Sequence, residues 1–128
     1  MNVLLDTCTF LWLAASPDRI SRSAQEVIDD PDNMLYLSDV SVWEIATKHR
    51  MGKLPLPELP RVWVPMQAEF FQLRSLTIER QALYLSGELP LLHRDPFDRL
   101  LAAQAQLMNF TVLTPDPPFE RLGAQVIW

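Results

Sequence analysis

The chain has 128 residues, of which 48% are hydrophobic and 21% are charged. This length and balance fit one globular domain over residues 1–128, which would bury roughly two-thirds of the surface of its unfolded chain. A single cysteine, Cys8, excludes an internal disulfide framework. No apolar run approaches the ~20 residues that a membrane-spanning helix needs, and Asp6 interrupts the first one, so we expect a cytoplasmic protein without a membrane partner.

The formal net charge of −5 is unusual for a protein that binds nucleic acid, because phosphate binding usually requires a basic surface. Five of the acids, however, lie where apolar segments stop or inside short motifs: Asp6, Glu44, Asp95, Asp98 and Asp116. Without these five acids the remaining formal charges balance. The charge therefore neither requires nor excludes RNA as a partner.

The first half of the chain is predicted to alternate short apolar strands with helices. In chain order we expect a strand at 2–5, a helix at 10–15, a helix capped by Ser21 or Ser23, a strand at 35–37, and a helix from Ser38 or Asp39 to about Arg50. Gly52 suits the residue just beyond the end of that last helix, where a left-handed conformation is common.

The second half begins with residues 54–60, which contain three prolines and are predicted to be extended. Further elements are expected in the order helix 62–72, strand 75–78, helix 79–86, a helix that begins at Pro96, strand 111–113 and strand 124–127. Strands that alternate with helices predict an α/β fold with a parallel sheet covered on both faces.

Two of the acids follow predicted strands. In an open parallel sheet, ligands bind outside the carboxyl ends of the strands. Asp6 directly follows the first strand and Asp116 lies three residues beyond Leu113, so both are expected at the same edge of the sheet. Each also has a purely structural alternative: Asp6 as the N-cap of the next helix, and Asp116 as a turn residue.

The other acids lie on predicted helices. Glu44 precedes Lys48 by four residues, so an exposed ion pair is the alternative to a role in binding. In Asp95-Pro96-Phe97-Asp98, Asp95 suits the N-cap position, while Pro96 suits the first helical position. We therefore assign Asp95 to the cap and leave Asp98, which also suits the helix dipole, free to bind a metal.

Carboxylates that converge in one place repel one another and raise one another's pKa values. A hard divalent cation such as Mg²⁺ or Mn²⁺ relieves that repulsion and can activate water for phosphodiester hydrolysis. The pattern thus predicts a metal-dependent nuclease, with Thr7 and Thr114 as secondary candidates for binding the carboxylates or a metal-bound water. A zinc site is not expected, because His49 and His93 lie far apart in the sequence.

The same segments, in the same order, resemble PIN-domain proteins and, more narrowly, VapC-type toxins of bacterial toxin–antitoxin pairs. The matching segments are Leu5-Asp6-Thr7 with Leu11-Trp12, Ser41-Val42-Trp43-Glu44-Ile45-Ala46 with Lys48, Gly52-Lys53-Leu54, the stretch from His93-Arg94-Asp95-Pro96-Phe97-Asp98-Arg99 to Ala105, and Leu113-Thr114 with Asp116 and Phe119. The resemblance implies a three-layer α/β/α sandwich with a central parallel sheet. It also implies an Mg²⁺- or Mn²⁺-dependent endoribonuclease, commonly homodimeric, which a cognate antitoxin inhibits by covering the active site.

The family's four acids match Asp6, Glu44, Asp98 and Asp116, and Asp95 is an extra acid of this subgroup. The chain departs from the family at two places. Cys8 stands where many relatives have His, so any role of that His is absent. Pro117-Pro118 predicts that the helix usual after Asp116 begins late or not at all.

The expected reaction is hydrolysis of RNA, with Asp6 and Asp98 as the main metal ligands and Glu44 and Asp116 completing the shell. Three cationic side chains are candidates for binding RNA phosphates, with solvated helix-end charge as the alternative role: Arg94, Arg99 and Lys48.

Two other functions are weighed. A phosphatase of the haloacid-dehalogenase kind needs a second Asp two positions after the first, where Cys8 stands here. A catalytically degenerate PIN-like module that binds RNA or protein is the other alternative, and the complete set of four acids argues against it.

Association is also expected. Trp12, Trp63 and the proline-rich residues 54–65 suggest apolar surface that one chain cannot bury. We therefore expect a homodimer, and an antitoxin peptide that lies along exposed apolar surface near the site. The family resemblance is the main support for this expectation.

Overall fold

The computed structural model describes all 128 residues and contains a five-stranded, wholly parallel sheet. The strands are β1 (Asn2–Leu5), β2 (Met34–Ser38), β3 (Arg74–Leu76), β4 (Thr111–Leu113) and β5 (Gln125–Ile127), in the spatial order β3-β2-β1-β4-β5. The predicted strands are thus all present, with bounds that differ by at most two residues. The prediction of a parallel α/β sheet is confirmed.

Seven α-helices connect the strands: α1 (Thr7–Ala15), α2 (Arg22–Asp29), α3 (Asp39–Arg50), α4 (Pro60–Phe70), α5 (Arg80–Glu88), α6 (Pro96–Met108) and α7 (Pro118–Arg121). A short 3₁₀ helix at Pro17–Arg19 follows α1. None of these helices combines the length and hydrophobicity that crossing a membrane requires.

Side-chain caps explain where several helices begin. The Ser21 hydroxyl accepts a hydrogen bond from the Ala24 amide at 3.1 Å and caps α2. The Ser38 hydroxyl accepts one from the Val40 amide at 3.0 Å and caps α3. The predicted choices between Ser21 and Ser23, and between Ser38 and Asp39, are therefore decided for the first member of each pair. Gly52 follows α3 with φ of 72°, as predicted for that position.

Three α-helices begin at a proline, at Pro60, Pro96 and Pro118. Residues 54–60 were expected to be extended throughout, but Pro60 is the first residue of α4. Proline suits this position, because its missing N–H would have no partner in the first turn and its φ is already helical. The helix after Asp116 begins late, at Pro118, and spans only four residues, as the two prolines predicted.

Alternate residues of the strands belong to two separate hydrophobic cores, one on each face of the sheet. Leu4 and Val112 point to one face of the sheet, in a core with α5, α6 and α7. Val3, Leu5 and Leu113 point to the other face, in a core that includes α1, α2 and α4. This alternation follows from the two-residue period of a strand. It produces the predicted three-layer α/β/α sandwich.

Trp63 contradicts one expectation about the surface. Its side chain is buried, with 5% exposed, and its ring lies edge-on to that of Phe10, with 5.8 Å between ring centroids. The prediction that Trp63 contributes exposed apolar surface is therefore wrong. The residue occupies the inner side of α4, whereas Val62, Met66 and Phe70 are exposed at a spacing of four residues along the same helix.

The strand order reverses between β1 and β4. From β1 the chain runs outward through β2 and β3, then returns to place β4 on the other side of β1. Loops that leave β1 and β4 diverge at this point, and they open a crevice outside the carboxyl ends of the two strands. Asp6 follows β1 and Thr114 follows β4, so both lie at this reversal.

Candidate metal centre

Asp6 is held at the end of β1 by two hydrogen bonds. Its Oδ1 accepts one from the Thr9 amide at 2.7 Å, so Asp6 is the N-cap of α1. Its Oδ2 accepts one from the Thr114 hydroxyl at 2.6 Å. Burial raises the pKa of Asp6, while the hydrogen bonds from Thr114 and Thr9 oppose that rise. The capping role is thus present, and it leaves Asp6 facing the crevice.

The turn after β4 positions Asp116. The Thr114 hydroxyl, which donates to Asp6, accepts a hydrogen bond from the Asp116 amide at 3.0 Å. Thr114 is 1% exposed, so its contacts are rigidly defined. The carboxylate of Asp116 is partly buried and raises the pKa of Asp6 through charge repulsion. Thr114 therefore connects the two acids that follow neighbouring strands.

Glu44 is buried rather than exposed, with 5% of its surface accessible. Its Oε2 accepts a hydrogen bond from the Lys48 ammonium, whereas its Oε1 is buried without a hydrogen-bond partner. Burial lowers the pKa of Lys48, but the hydrogen bond and charge of Glu44, together with the charges of Asp95 and Asp98, outweigh burial and raise it. The expected ion pair exists, yet an exposed surface pair would not leave a carboxylate oxygen buried and unpartnered.

Asp98 lies in the first turn of α6 beside a histidine. Its Oδ2 lies 2.8 Å from Nε2 of His93. Burial raises the pKa of Asp98 to about 7, the His93 contact opposes the rise, and the charges of Asp95, Glu44 and Asp116 add to it. Possible ligand atoms of His93, Asp98 and Asp116 all lie within 4.8 Å of one another.

Asp95 caps α6, as predicted. Its Oδ1 accepts hydrogen bonds from the Phe97 amide at 2.9 Å and the Asp98 amide at 3.4 Å. This fixes the start of the helix that carries Asp98, because the cap satisfies amides that have no partner within the first turn.

These side chains line one crevice of about 360 Å³. Its lining residues are almost entirely polar: Asp6, Thr7, Cys8, Glu44, Lys48, Asp95, Asp98, Pro115 and Asp116. All five predicted acids thus meet at the reversal of the sheet. The unpartnered Oε1 of Glu44 and the mutual repulsion of the acids fit a bound divalent cation, whose preferred ligands are carboxylate oxygens.

The position of Arg99 contradicts the prediction that this residue binds RNA phosphates. Its side chain is buried, with 8% exposed, and its guanidinium donates to backbone carbonyls, including that of Ser86. No donor of Arg99 is left for an RNA phosphate, because all five N–H groups have partners. Arg94 is exposed and Lys48 lines the crevice, so both remain accessible.

Thr7 and Cys8 line the crevice without a side-chain hydrogen bond to its acids. The Thr7 hydroxyl donates to the hydroxyl of Ser41 at 2.9 Å, which ties the start of α1 to α3. Burial, followed by the charge of Asp6, raises the pKa of the Cys8 thiol to about 11. The thiol is therefore protonated at neutral pH and is unsuited to act as a nucleophile.

His93 is the residue that sequence analysis missed. It belongs to a segment that carries the family resemblance, but sequence analysis assigns it no role in the site and does not expect a zinc site with His49. Its proximity to Asp98 depends on how the chain turns back between α5 and α6. The available signal was the short spacing in His93-Arg94-Asp95-Pro96-Phe97-Asp98, since a residue just before an N-cap can pack against the start of the helix.

The raised pKa of Asp98 predicts that the metal-free protein loses stability as the pH rises. The folded state holds the proton of Asp98 up to about pH 7, whereas the unfolded chain releases it near pH 4. The free energy of unfolding should therefore fall by about 2–3 kcal/mol between roughly pH 5 and pH 8, with Asp6 adding in the same direction.

Urea unfolding in EDTA at both pH values measures this loss. The control is Asp98→Asn, which removes this titrating group and should reduce the dependence to the part that Asp6 contributes. A free energy of unfolding that rises across this range in the original protein would contradict the expectation.

Comparisons with known proteins agree with this architecture. The family model for the PIN domain matches residues 3–125. Ribonuclease VapC22 of Mycobacterium tuberculosis is 28% identical over 117 residues, which cover 90% of this chain and 87% of that protein. Ribonuclease VapC16 of the same organism is 46% identical over 39 residues, or 30% of this chain and 28% of that protein.

Two solved complexes have the same fold. VapBC2 from Rickettsia felis, bound to a DNA fragment from its promoter, contains a chain that matches with a TM-score of 0.73 at 17% identity, covering 99% of this chain and 98% of that one. DNA-bound VapBC from Salmonella typhimurium matches with a TM-score of 0.71 at 18% identity, with coverages of 99% and 97%. With its family match over residues 3–125 and its acids gathered where the sheet reverses, the chain belongs to the PIN domain family.

Proposed function

We propose that this protein is a metal-dependent endoribonuclease and the toxin of a type II toxin–antitoxin pair. The observation that carries the proposal is the crevice at the sheet reversal, where Asp6, Glu44, Asp98 and Asp116 converge and Glu44 has an unpartnered buried oxygen. Bound there, Mg²⁺ or Mn²⁺ would supply an activated water for phosphodiester hydrolysis.

The residues have distinct proposed roles. Asp6 and Asp98 are the main metal ligands, and Glu44 and Asp116 complete the shell, directly or through water. Thr114 orients Asp6, since its hydroxyl donates to Oδ2 of that carboxylate. Orientation of a ligand by a hydrogen bond typically matters for affinity as well as for geometry.

Substrate contacts are proposed for the two accessible cations. Arg94 is exposed beside the cap of α6, and Lys48 lines the crevice while paired with Glu44. Either side chain can bind a phosphate oxygen without a large rearrangement.

The relatives support the toxin assignment. VapC22 and VapC16 are named as ribonucleases, and the solved structures with the same fold are VapBC complexes. An antitoxin partner for this chain is proposed on that basis. A catalytically degenerate module is less consistent with the site, because all four family acids are retained and face one crevice.

Metal removal tests the proposal. RNA cleavage by the purified protein is expected to stop in EDTA and to return with an excess of Mg²⁺ or Mn²⁺, because the proposed mechanism needs a cation that lowers the pKa of the attacking water. The same cations should raise the melting temperature by relieving carboxylate repulsion. Cleavage at full rate in EDTA would refute the metal-dependent mechanism.

A homodimer and a bound antitoxin peptide are also proposed. On the outer face of α4, Val62 is 46% exposed, Met66 is 50% exposed and Phe70 is 77% exposed. Trp43, next to Glu44 in the sequence, is 52% exposed and lies edge-on to Phe97. Apolar surface of this kind favours association.

Sedimentation equilibrium at micromolar concentration should give twice the mass of one chain. A small protein encoded by the neighbouring gene should bind the chain and suppress its cleavage of RNA. A strictly monomeric protein at high micromolar concentration, together with no effect of that gene product on cleavage, would refute this proposal.

A further inference from the structure

The guanidinium of Arg99 has an unusual set of partners. It makes five hydrogen bonds, one for each N–H, and all of them go to backbone carbonyls. Nε and Nη2 donate to Ser86 at 3.0 and 2.7 Å, Nη2 also donates to Leu89 at 2.8 Å, and Nη1 donates to Pro90 at 2.7 Å and to His93 at 3.0 Å. The guanidinium thus bridges the end of α5 and the connection before α6.

No carboxylate accounts for the burial of this charge. Arg99 forms none of the salt bridges of the protein, which join three other pairs of residues. Its partners at Ser86 and Leu89 lie at the carboxyl end of α5, where the helix dipole stabilises a cation. The charge of Arg99 is therefore compensated by backbone carbonyls alone. These carbonyls belong to the end of α5 and to the connection that follows it.

The connection between α5 and α6 depends on this side chain. None of the backbone–backbone hydrogen bonds outside the helices and strands involves residues 90–94. Arg99 supplies hydrogen bonds to the carbonyls of Pro90 and His93 within this stretch. The path of the connection is consequently set by a residue in the first turn of α6.

The path of this connection decides where the ring of His93 lies. With its carbonyl bound to Arg99, His93 places Nε2 2.8 Å from Oδ2 of Asp98. We propose that Arg99 and His93 are positioning residues of the metal centre: Arg99 holds the 89–94 connection, and His93 orients the Asp98 carboxylate. This inference rests on the proposed function, in which Asp98 binds the metal.

Lysine cannot replace Arg99 in this role. A single ammonium has three donors on one nitrogen, whereas the guanidinium spreads five donors around the edge of its plane and so reaches carbonyls of four residues. Arg99→Lys keeps the positive charge at the end of α5 and removes the bridge. His93 is only partly buried, so His93→Ala removes its contact with Asp98 at little risk to the fold.

The experiment is a double-mutant cycle on the affinity for Mn²⁺, measured by titration calorimetry of the purified protein. Each single variant is expected to bind Mn²⁺ about 10–100-fold more weakly, the range seen when an outer-shell partner of a metal ligand is lost. The variant with both changes should bind no more weakly than His93→Ala alone, because Arg99 acts through His93. His93→Gln keeps an N–H donor and should recover part of the affinity.

A second measurement does not require metal. In the metal-free Arg99→Lys variant, the backbone amide of Leu89, which donates to the Leu85 carbonyl at 3.0 Å at the end of α5, should exchange with deuterium faster than in the original protein, while those of β1 are unchanged. The control is Gln106→Ala, which removes a side-chain bond from the same helix to the Leu122 carbonyl, 2.6 Å long. This control should lower the melting temperature without changing Mn²⁺ affinity.

The outcomes separate the two proposals. Mn²⁺ binding by the original protein, with unchanged affinity in Arg99→Lys or in His93→Ala, would overturn the positioning roles and leave the metal centre standing. Losses that add in the double variant would show that Arg99 does not act through His93. Absence of Mn²⁺ binding by the original protein would overturn the metal centre, and this inference with it.

Discussion

Asp98→Asn is expected to abolish RNA cleavage while the metal-free protein becomes more stable at pH 8. The substitution keeps the shape of the side chain and removes a charge that burial disfavours, as the raised pKa of Asp98 indicates. Metal affinity should fall by more than the roughly 10–100-fold that loss of an outer-shell partner costs. Cleavage rate, Mn²⁺ affinity and melting temperature in EDTA are measured on the same preparation.

Asp95→Asn is the matched control for this prediction. Asp95 lies three residues earlier and carries the same charge, but its Oδ1 caps α6 by accepting from the amides of Phe97 and Asp98. Asparagine caps a helix about as well as aspartate, so a small change in stability and a modest change in rate are expected. Loss of cleavage in Asp95→Asn with normal cleavage in Asp98→Asn would reverse the two assignments.

Phe119→Ala is expected to lower the free energy of unfolding by about 3–5 kcal/mol, the usual cost of removing a fully buried phenyl ring. Phe119 is 0% exposed and belongs to the core on the α5, α6 and α7 side of the sheet. Alanine keeps the backbone amide that donates to the Asp116 carbonyl at 3.3 Å, so the expected loss comes from the packing of the ring. Urea unfolding measures the change in stability.

Phe70→Ala provides the comparison for Phe119→Ala. Phe70 is an aromatic residue of the same size, but it is 77% exposed on α4. At a protein concentration low enough to keep the chain monomeric, its replacement should change the free energy of unfolding by about 0.5 kcal/mol or less. Similar losses in the two variants would mean that burial of Phe119 does not stabilise the α7 side of the core.

Much of the fold could be predicted from local patterns. Short apolar runs predicted the strands, and polar residues before helices predicted caps that Ser21, Ser38 and Asp95 provide. These predictions succeed because capping and strand alternation depend on residues that are neighbours in the sequence. The same locality explains the error at Pro60, where one residue suits both an extended segment and the first position of a helix.

The convergence of the acids was also predicted, because the carboxyl ends of parallel strands share one edge of a sheet. The strand order was not predicted, and it is what places Asp6 and Thr114 beside each other at the reversal between β1 and β4. Periodicity shows which segments are strands, but the order in which they pair depends on how the helices cover the two faces.

The sequence by itself determined the α/β class, the helix caps and the set of acids that gather in the crevice. Tertiary structure decided which charged side chains face that crevice. Three side chains illustrate this. Arg99 donates its N–H groups to backbone carbonyls at the end of α5 and in the connection to α6. Glu44 is buried with one oxygen that has no hydrogen-bond partner, and His93 contacts Asp98. The physical reason is that a long polar side chain can reach several partners. Which of them it binds is set by backbone that only the folded chain brings near.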